Sequence, residues 1–148
     1  MLASTLIPSA GRLPLWLTAV ALGGIAWNAF GALQFAGSIT ATPESLVADG
    51  LTAEQAAIMT GYPVWMTIAF FVGVGGGLIG SVFLLAWPAA ARPVLAVSLV
   101  AYALLWIGDA VHGVFAAMGT PQVVILTLVV AIAAALFAVA GLRSGSPT

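Results

Sequence analysis

Residues 63–87 read PVWMTIAFFVGVGGGLIGSVFLLAW, twenty-five positions without one charged side chain, opened by proline and closed by tryptophan. A helix rises about 1.5 Å per residue, so roughly 20 apolar residues cross the ~30 Å hydrocarbon layer of a bilayer. This stretch is long enough to span, and three more like it flank it: 13–36 upstream, then 93–118 and 121–142 downstream. Pro14, Pro63, Pro93 and Pro121 stand at the starts, where a missing N–H is harmless, and Pro88 follows the end of the second segment. Short connections around Ala89 to Arg92 and around Gly119 and Thr120 predict antiparallel neighbours. The expected fold is an all-α membrane protein, an antiparallel four-transmembrane-helix bundle forming a single integral membrane domain over 1–148. The apolar run in 13–36 exceeds the ~7–15 residues of a signal-peptide core, so it reads as a retained span.

The remaining composition agrees with a life in lipid. Of 148 residues 63% are hydrophobic and 5% charged, with mean hydropathy +1.22, against about 25% charged in a soluble domain. The charges are Arg12, Arg92 and Arg143 with Glu44, Asp49, Glu54 and Asp109. Three scattered cations make no basic patch, which excludes nucleic acid as a partner. The absence of cysteine and lysine removes disulfides, thiolate metal sites, thiol nucleophiles and lysine Schiff bases.

The connection 37–62 is the longest and holds Glu44, Asp49 and Glu54. Thr42-Pro43-Glu44 combines a cap, a favoured first helical residue and a first-turn acid, with Gly50 as a stop, and Thr52-x-x-Gln55 has capping-box form. The loop is therefore expected to be partly helical, with its short helices flat at the surface. All three arginines fall on the opposite side of the bundle from this loop, so the positive-inside rule predicts cytoplasmic termini and an extracytoplasmic loop 37–62. Trp16 and Trp87 would mark the inner interface, Trp65 and Tyr62 the outer one.

Asp109 is the one carboxylate within an apolar span, with His112 at i+3. A mid-membrane acid costs ~2.5–3.5 kcal/mol on insertion scales, so such groups face the bundle interior and find partners. Span arithmetic puts Asn28 at about the depth of Asp109, which allows a hydrogen bond between them, with Thr67 and His112 next outward and Gln34 and Gln122 near the surface. Tyr102 and Trp106 recur with Asp109 at helical spacing. Asp109, His112, Asn28, Thr67, Gln34, Tyr102 and Trp106 are thus the candidates for a ligand-binding or proton-responsive site. A purely structural Asp109–Asn28 hydrogen bond is the competing reading. Gly73, Gly76, Gly77 and Gly80 form a doubled small-residue stripe, joined by Gly24 and Gly31 on the first span, for close helix packing within the chain or between copies. The run GVGGG follows no strand, so it is not a nucleotide loop.

No cofactor is expected: one histidine cannot supply two haem ligands, and Asp109, His112 and Asn28 leave a metal shell one ligand short. No nucleophile, base and orienter occur at a recognisable spacing, so no enzymatic activity is expected either. Transport or solute binding remains, and so does an accessory role. The partners expected besides lipid are a second copy of the chain or a larger membrane complex.

The segments AWNxxG (Ala26 to Gly31), Thr52-Ala-Glu54-Gln55, Tyr62-Pro63-Val-Trp65 and GGGLIGSVFLL (Gly75 to Leu85) resemble a family. They are similar to those of small four-span proteobacterial inner-membrane proteins, largely uncharacterised and sometimes labelled sugar transporters. The resemblance runs from Trp16 to Ser98 and implies a bacterial inner-membrane location. This chain departs from the family where its first span ends in Leu33-Gln34-Phe35, and where Arg92 is the one basic residue of the short cytoplasmic loop.

Overall fold

A computed structural model describes residues 13–144. Its elements are α1 (Leu15–Thr40), α2 (Pro43–Ala48), α3 (Ala53–Thr60), α4 (Val64–Ala86), α5 (Pro88–Val111), α6 (Val114–Met118) and α7 (Thr120–Ser144). Helices α1, α4, α5 and α7 are each long and apolar enough to cross a membrane, and no strand occurs among the described residues. The protein is an all-α, multi-pass membrane bundle.

The short helices in the 37–62 connection start where their caps dictate. Thr52 Oγ1 accepts from the Gln55 N–H at 3.2 Å, and Gln55 Oε1 accepts from the Thr52 N–H at 3.0 Å. Thr42 and Ser45 make the same reciprocal pair at the head of α2. Gly50, at φ +103°, ends α2 and lets the Leu51 N–H return to the Leu46 carbonyl at 3.0 Å, a turn that favours glycine. Gln55 does a second task, donating from Nε2 to the Ala117 carbonyl at 3.0 Å and tying α3 to α6.

Two boundaries differ from the sequence expectation. The connection at Ala89 to Arg92 is helical: Pro88 opens α5, Trp87 alone separates it from α4, and Pro93 lies inside the helix. The hydrogen bond Pro93 cannot donate would have gone to the carbonyl of Ala89, an exposed residue in the first turn, where the loss is small. At the other end the third span stops at Val111, because Gly113 turns left-handed at φ +77° and starts the separate helix α6. The third span is therefore shifted towards the end that carries Arg92.

Along the bundle the order of neighbours is α1, α4, α5, α7, with α4 and α5 in the most extensive contact and α1 and α7 in little. One core cluster gathers Met66, Ala69, Val74, Tyr102, Leu105, Leu126 and Ala133, and a second gathers Ala21, Leu84, Ala91, Leu95, Leu136 and Ala140. The glycines of α4 set the spacing. A Cβ on Gly73 would lie 2.8 Å from the Tyr102 ring, one on Gly76 3.1 Å from Ser98, and one on Gly80 2.5 Å from Leu95. One on Gly77 would collide with the Asn28 amide, one on Gly24 would come within 2.5 Å of Ser81, and one on Gly31 within 3.3 Å of Val74. These six glycines thus serve contacts within the chain. Outward-facing Leu33, Val64, Phe71 and Val100 are exposed, as lipid-facing side chains are.

Arg143 and Arg92 belong to the end where α4 meets α5. Arg143 donates to the Leu84 carbonyl at 2.6 Å, and the Arg92 guanidinium lies 5.6 Å from the centre of the Phe137 ring. Glu44, Asp49 and Glu54 are at the opposite end, on α2, α3 and the turn between them. Arg12, the third cation of the orientation reading, lies outside the described residues, as do the tails 1–11 and 145–148.

Candidate functional site

Near mid-bundle, Asn28 sits about halfway along α1 and is buried. Its Nδ2 donates to the Gly24 carbonyl at 2.8 Å, and its Oδ1 accepts from the Tyr102 hydroxyl at 3.2 Å. Gly77 makes room for the Asn28 amide and Gly73 for the Tyr102 ring. Ser98 on α5 donates to the Gly73 carbonyl at 2.6 Å. Asn28, Gly77, Ser98 and Tyr102 border a crevice against Ile132 and Leu136 of α7 that has no room for a water molecule. Among the described residues no buried side-chain polar atom lacks a partner, so this layer is satisfied from within.

Asp109 lies seven residues beyond Tyr102 along α5, about 10 Å outward in the sense of towards the end that carries α2 and α3, at ~1.5 Å per residue, and is 1% exposed. The Tyr62 hydroxyl donates to its Oδ1 at 3.1 Å, and Gln122 Nε2 donates to its Oδ2 at 2.9 Å. Asp109 stands two residues before the end of α5, Gln122 near the start of α7 and Tyr62 just before α4. Three helix ends thereby bring their polar groups to one level. Burial first, and the Asp109 carboxylate second, push the Tyr62 phenol above its ordinary range, so it keeps its proton and acts as a donor.

The Asp109–Asn28 hydrogen bond that the sequence allows is not formed. The sequence reading centred the third span on 93–118, whereas α5 covers Pro88–Val111, and the shift leaves Tyr102 rather than Asp109 level with Asn28. His112 caps α5 at its C-terminus, is exposed, and turns its ring towards Trp65 at 6.0 Å between centroids. Trp106 donates to Thr127 Oγ1 at 3.0 Å and packs edge-on against Phe115, which ties α5 to α7 and α6.

Outward of the Asn28 layer, a cavity of about 250 Å³ opens between α1 and α7. Its walls include Trp27, Phe30, Phe70, Leu105, Leu126 and Val129, and its polar groups are Gln34, Ser38, Tyr62, Tyr102, Asp109 and Gln122. Of the residues singled out from sequence, Asp109, Gln34 and Tyr102 line it. Asn28 forms the closed layer beneath, and Thr67, His112 and Trp106 are not among its lining residues. Sequence reasoning missed Tyr62 as a partner of Asp109, and left Gln122 as a surface residue. The usable signal was their position beside Pro63 and Pro121, which puts both at helix starts on the side where α5 ends.

No family model, curated protein or solved structure matches this chain.

Proposed function

We propose that this protein is a non-enzymatic, transport-like or solute-binding membrane protein whose site is the cavity between α1 and α7, with Asp109 as its polar anchor. The carrying observation is that a buried, doubly hydrogen-bonded carboxylate borders open space instead of a sealed helix contact. An intramembrane acid that faces a cavity is a functional group by default, and apolar walls with a few convergent polar groups are the usual make-up of a small-molecule site. At about 250 Å³ the space falls just below the ~300–1,000 Å³ of drug-sized sites, which suits a small solute. The glycine stripe, which would have served an accessory subunit as a docking face, is spent on contacts inside the chain.

We further read the termini as cytoplasmic, with Arg92 and Arg143 inside, Glu44, Asp49 and Glu54 outside, and the cavity in the outer half. The resemblance noted from the sequence implies a bacterial inner membrane. The chain has no cysteine, so single-cysteine labelling is clean. Gln34→Cys and Ser38→Cys are expected to react with an impermeant maleimide added to spheroplasts, and the tagged protein to emerge from mild detergent alone or as a homo-oligomer. Recovery of one larger membrane complex at fixed stoichiometry, with both thiols shielded, would make the protein an accessory subunit instead.

A further inference from the structure

Asp109 carries a formal negative charge into a place where no basic side chain meets it among the described residues. The groups around it come from every neighbouring element. Tyr62, ahead of α4, and Gln122 of α7 are neutral donors to its two oxygens. His112 on the same helix turns to Trp65. Helix α1 offers the neutral Gln34 and Ser38 to the cavity, and α3 offers Met59. Arg92 and Arg143 are at the far end of the bundle, engaged with Phe137 and Leu84.

A carboxylate in a low-dielectric setting is costly unless its charge is matched, and two neutral hydrogen bonds do not supply a counter-charge. Two species can: a proton, or a cation entering the cavity. The walls discriminate among cations. A divalent metal ion is usually held by a cluster of charged oxygen ligands, and among the described residues no three or more acidic, histidine or cysteine side chains come together. Aromatic faces, by contrast, attract an organic cation through the ring quadrupole while accepting its apolar body, and Trp27, Phe30, Tyr62, Phe70 and Tyr102 all border this space.

We infer that the cavity takes a small lipophilic monocation, an alkyl- or arylammonium, whose charge pairs with ionised Asp109 and whose body lies on the aromatic walls, in competition with a proton on the same carboxylate. The inference rests on the solute-binding reading and gives it a ligand class. When the cation binds the protonated form, one proton leaves Asp109 for the medium, so the site's charge is the same before and after the exchange.

The test uses the full chain in phosphatidylcholine nanodiscs, with Ile125→Cys on the cavity wall as reporter. Protection from maleimide is measured with benzyltrimethylammonium and with its uncharged carbon isostere, neopentylbenzene, relative to the unliganded rate at each pH. The ammonium is expected to protect saturably at pH 8. Adding Asp109→Asn should raise its half-protecting concentration at least tenfold and move that of the isostere less than twofold. Acidification should weaken the ammonium alone, towards tenfold per pH unit once Asp109 holds its proton. This second arm needs no change at Asp109, so it decides the matter if the Asn variant does not fold. Equal protection by both compounds, insensitive to pH, overturns the cation inference and leaves a solute cavity standing. Protection by neither overturns the solute-binding reading as well.

Discussion

Asn28 with Tyr102 and Asp109 with Tyr62 are each a buried polar side chain that accepts from a tyrosine hydroxyl, and they stand two helical turns apart along α5. Around the first pair α1, α4 and α5 close on one another over glycines, and no water fits. Around the second α1 and α7 have separated, and the carboxylate borders about 250 Å³ of space. The difference teaches that polarity inside a membrane bundle does not by itself mark a site. What accompanies the difference is side-chain size: glycine at 73 and 77 lets Tyr102 and Asn28 close on α4 in the inner layer, whereas larger side chains, Phe30 and Phe70 among them, line the outer space.

The largest expected effect breaks the closed layer. Gly77→Val puts an isopropyl group into the space of the Asn28 amide, and overpacking of this kind costs ~2–3 kcal/mol. A lower thermal midpoint in detergent checks it, and Gly80→Val, which meets Leu95, should act in the same direction. Next comes Asn28→Ala, which leaves the buried Tyr102 hydroxyl without its acceptor. Orphaning a buried donor costs ~1–2 kcal/mol, against an average of ~0.6 kcal/mol for interhelical hydrogen bonds in membranes. Labelling of a cysteine at Gln34 should be unchanged in that variant.

Asp109→Asn should be milder, within ~1 kcal/mol of wild type, since an amide oxygen still accepts from Tyr62 and a flipped Gln122 amide can pair with the new NH₂ group. A melting shift as large as that of Asn28→Ala would make the outer pair structural and erase the contrast. The smallest effect is Gly75→Ala. No atom would lie within 4 Å of the added methyl, and removing a mid-helix glycine is neutral to stabilising by ~0.5 kcal/mol. The opposite signs at Gly75 and Gly77, two positions apart, sharpen the distinction between a glycine that packs and one that does not.

Much of the outer region could be read in advance. Thr42, Pro43, Gly50, Thr52 and Gln55 announce two short helices through local hydrogen-bond chemistry, and the structure forms both. Asp109, Gln34 and Tyr102 stood out because polar residues in apolar spans are conspicuous. The partnership of Asp109 with Tyr62 and Gln122 was not legible, because it depends on where α5 begins and ends. Pro93 resembles a start and is interior, while His112 and Gly113 look interior and end the helix. Five residues of error at one end of a helix amount to roughly 7 Å of depth, enough to exchange one partner for another.

Sequence alone determined that this protein is a four-span membrane bundle, since segment length against bilayer thickness and the near absence of charge are properties of the chain taken one stretch at a time. It also singled out Asp109 and Asn28 as too polar to be left against lipid, and both are buried. Only the tertiary structure decided which of them meet one another and which border open space. Pairing depends on the relative depth and rotation of helices distant in sequence, and a cavity exists only where two of them, here α1 and α7, fail to close.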